Sequence, residues 1–325
     1  MTRRVVIAGG SGFLGRGLAA FLVERGWGVT VLSRREKPAA AADPRAEPLD
    51  WVRWDARTDG DWGDTLRGAD AVVNLVGRSV DCRKTAENRE VILRSRVDSV
   101  AALGAACRRL HAESPGSAPP VWVQGSTAHI VGDPEPWDRV CDESTPNGPL
   151  DEVAPGVGVA WEAAFDKHRL PEPTQRGVAL RISFVLGRPN PGGAGALGRL
   201  GLLTRLGLGG TVGSGRQWMS WLHQDDLNRM VLHAIEDPSM RGVYMATAPE
   251  PVTNRDFMRA LRSAYGRPWS PPAPALGVRL ACRFVLNTDP ELALLGRRCV
   301  PTRLVSEGFA FEHATLGSAL SAVVG

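Results

Sequence analysis

Lysine and tyrosine are nearly missing from this chain of 325 residues. It has three lysines, Lys37, Lys84 and Lys167, and two tyrosines, Tyr244 and Tyr265. Positive charge is therefore almost wholly arginine: 39 Lys+Arg stand against 35 Asp+Glu, a formal net charge of +4. The arginines read as scattered and interleaved with acids, whereas a nucleic-acid footprint needs a clustered stripe or patch, so no nucleic-acid partner is expected. The five cysteines (Cys82, Cys107, Cys141, Cys282 and Cys299) are odd in number and contain no C-x-x-C pair. That excludes a disulfide framework and a zinc knuckle and fits a reducing compartment. No apolar run approaches the ~18–20 residues of a membrane span. The expectation is a cytoplasmic protein with no membrane partner. At 43% hydrophobic and 23% charged residues, a disordered or collagen-like chain is excluded as well.

What is present in the first half is an alternation of short apolar runs with amphipathic stretches, the pattern of β-α-β units and a parallel sheet. The expected strands are Arg4–Ala8, Gly28–Leu32, Trp51–Trp54, Ala71–Leu75, Val121–Gln124 and Val178–Ile182. Helical patterns cover Phe13–Arg25, Glu87–His111 and Val159–His168. From Gly187 to Gly215 glycine is dense (Gly192-Gly193, Gly209-Gly210, Gly213, Gly215) around a short apolar helix near Leu197–Leu208. This marks the departure from the sheet into a second lobe. Gln217–His223 then reads as one strand, Asp225–Glu236 as a helix capped by its aspartates, Val243–Ala246 as a strand and Asn254–Tyr265 as a helix.

Between the first strand and first helix stands Ile7-Ala8-Gly9-Gly10-Ser11-Gly12-Phe13-Leu14-Gly15. Gly9 permits the tight turn, Gly12 lets backbone approach a pyrophosphate, and Gly15 lets helix and strand pack closely. The helix N-terminus offers unpaired N–H groups and a positive dipole end to phosphates. A glycine triplet alone is a weak signal; its position after a Val-rich strand and before an amphipathic helix gives it force. The expected fold class is thus α/β, a Rossmann-type doubly wound parallel sheet with a smaller C-terminal substrate lobe. Residues 1–186 are assigned to the dinucleotide-binding core and 187–325 to the substrate side, with 217–246 returning to the core sheet. At the end of the second strand Ser33-Arg34-Arg35 replaces the acid that holds a ribose 2′-hydroxyl. Ser33 and Arg34 suit a 2′-phosphate, so NADP(H) is the expected cofactor, unless both arginines are solvated loop charges.

Further stretches carry a family resemblance. They are Asn74-Leu75-Val76-Gly77, Ser95-Arg96-Val97-Asp98-Ser99, the run from Arg181 to Gly187, Gly207-Leu208-Gly209-Gly210, the run from Gly213 to Leu227, and the tail from Pro301 to Phe311. Over nearly its whole length the sequence resembles the extended short-chain dehydrogenase/reductase superfamily. More narrowly it resembles the atypical group called epimerase family proteins, NAD-dependent epimerase/dehydratase-like with a C-terminal domain of unknown function. Together with Gly9, Ser11, Gly12, Phe13, Leu14 and Gly15 of the glycine turn, the resemblance implies cofactor contacts from Ser33, Arg34, Leu75, Val76, Gly77, Arg96, Phe184 and Val185.

The departures from that family are as informative. Its ordinary members catalyse with a Tyr-x-x-x-Lys pair, but here the residues four before each lysine are Ser33, Val80 and Ala163. Aligning the active-site helix on Trp161-Glu162 places Ala154 and Gly158 where tyrosine and lysine would be. Sugar-nucleotide enzymes of the family hold the diphosphate with an arginine where Met219 stands, flanked by Trp218 and Trp221, although Arg216 is close enough to compensate. An apolar, aromatic face favours a flat or lipophilic substrate. Trp161, Arg216, Trp218 and Trp221 are the expected pocket residues.

The loop after the fifth strand, Gly125-Ser126-Thr127-Ala128-His129, supplies what chemistry remains. Thr127 matches the family's Ser/Thr that holds a substrate carbonyl. His129 titrates near neutrality and is the candidate acid, or else a hydrogen-bonded core histidine. Ser126 either contacts the cofactor or ends the strand, and Glu162 is either catalytic or a structural contact. His223 with Asp225 and Asp226 suggests a metal site, but helix capping by Asp225 explains them more simply and no metal is expected. Reduction of a carbonyl or activated double bond in a small, partly apolar molecule is the leading expectation. A non-catalytic NADP(H)-binding sensor or scaffold and a sugar-nucleotide epimerase are the alternatives. Oligomeric state is not legible.

Overall fold

In the computed structural model, which describes residues 3–38, 48–190, 193, 195 and 197–324, seven parallel strands form one sheet. Gly192 lies outside the described residues. The first half supplies β1 (Arg4–Ala8), β2 (Gly28–Ser33), β3 (Asp50–Arg53), β4 (Ala71–Asn74) and β5 (Val121–Thr127). Then come β6 (Val140–Cys141), β7 (Arg176–Ile182), β8 (Phe184–Leu186), β9 (Trp218–Met219), β10 (Trp221–His223), β11 (Gly242–Ala246), β12 (Val252–Thr253) and β13 (Arg298–Cys299). The helices of the core are α1 (Phe13–Val23), α2 (Ala86–Glu113) and α3 (Val153–His168). They are followed by α4 (Leu197–Arg205), α5 (Gln224–Glu236), α6 (Asn254–Ala264), α7 (Ala275–Ala281), α8 (Glu291–Leu294), α9 (Thr302–Ser306) and α10 (Leu316–Val324).

The sheet order is β11-β7-β5-β4-β1-β2-β3. Strands buried on both faces need unbroken apolar runs, and Val5, Val6, Ile7 and Ala8 of β1 are all buried. Their side chains alternate between two cores. Val5 and Ile7 join Leu18 and Leu22 of α1 and Met230 and Val231 of α5, whereas Val6 and Ala8 join Val100 and Leu103 of α2 and Trp161 and Phe165 of α3. The order reverses between β1 and β4, the crevice where such sheets bind their ligands.

The stretch expected as one strand, Gln217–His223, is two. Trp218–Met219 pairs antiparallel with β12, and Trp221–His223 pairs parallel with β8. Ser220 between them donates its hydroxyl to the Arg297 carbonyl at 2.8 Å and accepts the Cys299 N–H at 2.8 Å. From 217–246 only β11 enters the large sheet, alongside β7. The second lobe packs a separate core of Leu197, Trp221, Phe257, Met258, Leu261, Leu316 and Leu320.

Helix α5 begins one residue earlier than expected and its cap is His223, whose Nδ1 accepts the Asp225 N–H at 3.2 Å. The capping assigned to the aspartates is thereby corrected. Asp226 is wholly buried and accepts the backbone N–H groups of Glu312 (2.7 Å) and His313 (3.0 Å), fastening the C-terminal tail. A carboxylate spent on two distant amides is invisible to local pattern.

Candidate functional site

The three glycines of the β1–α1 turn answer to different constraints. Gly9 has φ +81°, and a Cβ on it would stand 2.9 Å from the Leu75 carbonyl carbon. A Cβ on Gly15 would stand 2.5 Å from Gly10 Cα. Packing alone requires both. Gly12 is exposed, and a Cβ there would meet only the Gly9 oxygen, at an ordinary 3.4 Å. The protein has no internal need of glycine at 12; a group approaching the backbone from outside does. Gly12 also caps α1 without a side chain, leaving the first-turn N–H groups available to an anion. The Phe13 carbonyl accepts amide N–H groups from Asn190 (3.0 Å) and Gln224 (3.2 Å), which tie the segment after β8 and the start of α5 to this turn. Neither residue stood out in the sequence. Ser11, Phe13 and Leu14 are half-buried or exposed beside it.

At the end of β2 stand Ser33, Arg34 and Arg35, and the next carboxylate, Glu36, is exposed. Ser33 is buried and its hydroxyl accepts the Arg35 N–H at 3.0 Å, whereas Arg34 is exposed and has no ion-pair partner among the described residues. At the end of β4, Leu75 and Val76 are half-buried and Gly77 is exposed; Asn74 Oδ1 accepts the Val76 N–H at 3.1 Å. Arg96 donates to the carbonyls of Arg78 (3.2 Å) and Ile92 (3.0 Å) and lies 4.9 Å over the Trp161 ring. Burial lowers its pKa to about 10, so it remains a cation at neutral pH, and no carboxylate pairs with it among the described residues. An anionic ligand suits that environment. Phe184 packs edge-on against Phe257 with ring centroids 5.8 Å apart, and Val185 is buried in the first core.

The end of β5 gathers the side chains expected to take part in chemistry. Thr127 is half-buried, and its Oγ1 accepts the His129 N–H at 3.2 Å, capping the short 3₁₀ turn Ala128–Val131. Its hydroxyl proton is left to donate. Ser126 is buried and donates to Glu162 Oε1 at 2.6 Å. Glu162 in turn accepts Arg181 Nε at 2.9 Å and Nη2 at 2.8 Å, a two-pronged pair with both side chains largely buried. Ser126 and Glu162 therefore face each other and Arg181. Burial and the positive charge of Arg297 push His129 well below its usual titration range. This corrects the expectation that it titrates near neutrality: at pH 7 the ring is neutral and offers an N–H or a lone pair.

The expected pocket tryptophans separate. Trp161 is buried in the second core, and Trp221 is wholly buried with its Nε1 donating to the Glu250 carbonyl at 2.9 Å. Trp218 and Arg216 do come together, through a partner the sequence did not single out. Trp137 stacks on Trp218 (centroids 6.3 Å, planes 20° apart), Arg216 covers Trp137 at 4.4 Å, and Arg298 covers Trp218 at 4.5 Å. His223, Asp225 and His313 bring ligating atoms within 4.8 Å of one another. The lone pair of His223 Nδ1 is already engaged by the Asp225 amide, so a cation at that nitrogen would have to displace the helix cap.

Comparison with known proteins accords with this arrangement. Residues 5–156 match the NAD dependent epimerase/dehydratase family, and residues 273–323 match a domain of unknown function, DUF1731. Epimerase family protein SDR39U1 of Bos taurus is 34% identical over 326 positions, covering 99% of this chain and 99% of that protein. The crystal structure of human epimerase family protein SDR39U1 (isoform 2) with NADPH superposes with a TM-score of 0.81 at 30% identity, covering 99% of each chain. UDP-glucose 4-epimerase of Thermus thermophilus, in complex with NAD, shares the fold, with a TM-score of 0.75 at 21% identity over 99% of this chain and 97% of that one.

Proposed function

The chain belongs to the epimerase family, and from that premise we propose that it is an NADP(H)-dependent reductase working without the Tyr-x-x-x-Lys pair. The observation that carries the cofactor reading is Gly12, a glycine that no internal contact demands, in a crevice whose β2 end offers Ser33 and an exposed Arg34 in place of an acid. The human relative with NADPH supports it. When bound, the dinucleotide would supply a hydride to an electron-poor carbon. The first-turn amides of α1 would hold the pyrophosphate, Ser33 and Arg34 the 2′-phosphate, and Arg96 would add a buried positive charge nearby.

For the substrate, the Thr127 hydroxyl is the group placed to donate to a carbonyl oxygen, and the neutral His129 two residues on is a second candidate donor. Met219 in place of an arginine, beside the Trp218–Trp137 stack, favours a small, partly apolar molecule over a nucleotide sugar. Five free thiols suit a cytoplasmic setting, and no helix among the described residues is long and apolar enough to cross a membrane. Steady-state NADPH oxidation over a panel of carbonyl and enone compounds tests the reading. Turnover that survives Thr127→Ala/His129→Ala unchanged would remove those two residues. NADPH binding with no turnover on any compound would move the assignment to a non-catalytic sensor.

A further inference from the structure

Helix α7 buries none of its residues. With the wider π-helical segment Cys282–Leu286 it continues to residue 286, and along it Leu276, Leu280 and Phe284 recur every four residues, between 50% and 73% exposed. At roughly 100° per residue Leu276 and Leu280 lie about 40° apart, the wider turn that follows keeps Phe284 on the same side, and the buried Cys282 points to the opposite side. Arg279 and Arg283, both exposed, border the stripe on one flank. Trp269 lies just upstream and is 71% exposed. Arg267 donates to the Arg205 carbonyl at 2.6 Å, bringing that segment to the end of α4, where Leu202, Leu206 and Leu208 are more than half exposed.

Charge along the segments that carry this surface is mostly positive, although Asp81, paired with Arg199 of α4 at 2.9 Å, and Asp289 also lie near it. No acid occurs between Asp256 and Asp289, a stretch with five arginines, and none between Glu172 and Asp225, a stretch with six. Set against a chain total of +4, these eleven arginines leave the remainder net acidic. The even interleaving read from the sequence therefore fails over these two stretches, although Arg176 and Arg181 of the second lie in the core sheet, away from this face. Arg205, Arg267, Arg279 and Arg283 have no ion-pair partner among the described residues.

We propose that this face docks on an anionic lipid surface, with α7 lying in the plane of the headgroups. Exposed Leu, Phe and Trp bordered by arginine is the composition of an interfacial helix, whose apolar side enters the acyl boundary while its cations stay with the headgroups. A nucleic-acid backbone would answer the arginines and leave the leucines without a partner. A second copy meeting this face across a twofold axis would set the same arginines against each other. The sequence-based expectation of no membrane partner rested on the missing span, which concerns crossing a bilayer and not lying upon one.

Flotation of the full chain with phosphatidylcholine vesicles, with and without phosphatidylglycerol, tests this. Binding is expected only with phosphatidylglycerol and is expected to fall steeply with added salt. Each exposed arginine near an anionic leaflet is worth roughly fivefold, so Arg279→Glu/Arg283→Glu should weaken binding by about 25-fold or more. Leu280→Asp/Phe284→Asp should do the same. All four side chains are exposed, so thermal unfolding should be unchanged and separates lost docking from lost folding. The proposal is overturned if vesicle charge makes no difference, or if both variants float like the parent. Light scattering that shows a dimer in the parent alone overturns it in favour of self-association, and duplex DNA captured in place of vesicles overturns it in favour of nucleic acid.

Discussion

Ile130 fills the space that any side chain at position 158 would need. A Cβ built on Gly158 stands 2.9 Å from Ile130 Cγ1 and 3.1 Å from its Cβ, and Ile130 is fully buried. The helix that presents lysine in ordinary relatives is here pressed against the turn after β5, so the missing pair is built into the packing. Gly158→Ala is expected to destabilise the protein by about 1 kcal/mol. Overpacking of about 1–3 kcal/mol is partly offset by the better helix propensity of alanine. Trimming the neighbour should relieve the strain, so in a thermal or urea double-mutant cycle Ile130→Ala/Gly158→Ala should be more stable than the sum of the single changes.

Gly12 and Gly15 should respond in opposite ways to the same methyl group. Gly12→Ala is expected to leave the melting temperature within about a degree and to weaken binding of both NADPH and NADH, because the new Cβ meets only an ordinary contact. Gly15→Ala drives a Cβ to 2.5 Å from Gly10 Cα and should lower stability by about 1–3 kcal/mol. Differential scanning fluorimetry with calorimetric titration separates the two.

Arg34 should decide between the coenzymes. A charge-assisted contact to a phosphate is worth about 1.5–3 kcal/mol, so Arg34→Ala is expected to raise the Kd for NADPH by roughly ten- to a hundredfold. The Kd for NADH should move by less than about twofold. Equal losses for both would show that Arg34 supports the loop and does not read the 2′-phosphate.

How much of this was legible follows from how local each signal is. The limits of β1 and the start of α1 were readable because a doubly buried strand and a glycine turn are written in consecutive residues. The glycine cradle and the lost Tyr-x-x-x-Lys pair were equally plain. What escaped depends on residues far apart in sequence. Ser220 breaks the expected 217–223 strand because it bonds to Arg297 and Cys299, and Asp226 is drawn from capping by the tail amides of Glu312 and His313. Trp218 meets Trp137 only because β9 and the loop after β5 converge, whereas Trp221, three residues on, faces the interior. His129 was recognisable as a residue, but the neutral state imposed by its burial and by Arg297 was not.

The Glu162–Arg181 pair should be costly to break and cheap to replace. Both side chains are largely buried, at 15% and 7% exposure, and Glu162→Ala would strand the guanidinium without its counter-charge. A loss of about 3–5 kcal/mol is expected, read as a fall in the urea midpoint. Glu162→Leu/Arg181→Met removes both charges and should lose less than the single change. A double variant less stable than Glu162→Ala would show that the pair contributes net stability.

Acid should weaken the fold through His223. Burial, and then electrostatic repulsion from His313, lower its pKa to about 4, against the opposing pull of Asp225 and Asp226. The unfolded chain titrates this histidine near 6.5 and so binds its proton first. The stabilisation from a neutral His223 is therefore complete above about pH 6.5 and is lost progressively as the pH falls towards 4, by about 2–3 kcal/mol at most. Asparagine keeps an acceptor for the Asp225 amide and removes the titration. His223→Asn should thus flatten the decline in melting temperature between about pH 6.5 and 4.5. His129, depressed in the same direction, is expected to leave a residual slope, so a profile for His223→Asn as steep as that of the parent would place the acid sensitivity in His129 instead.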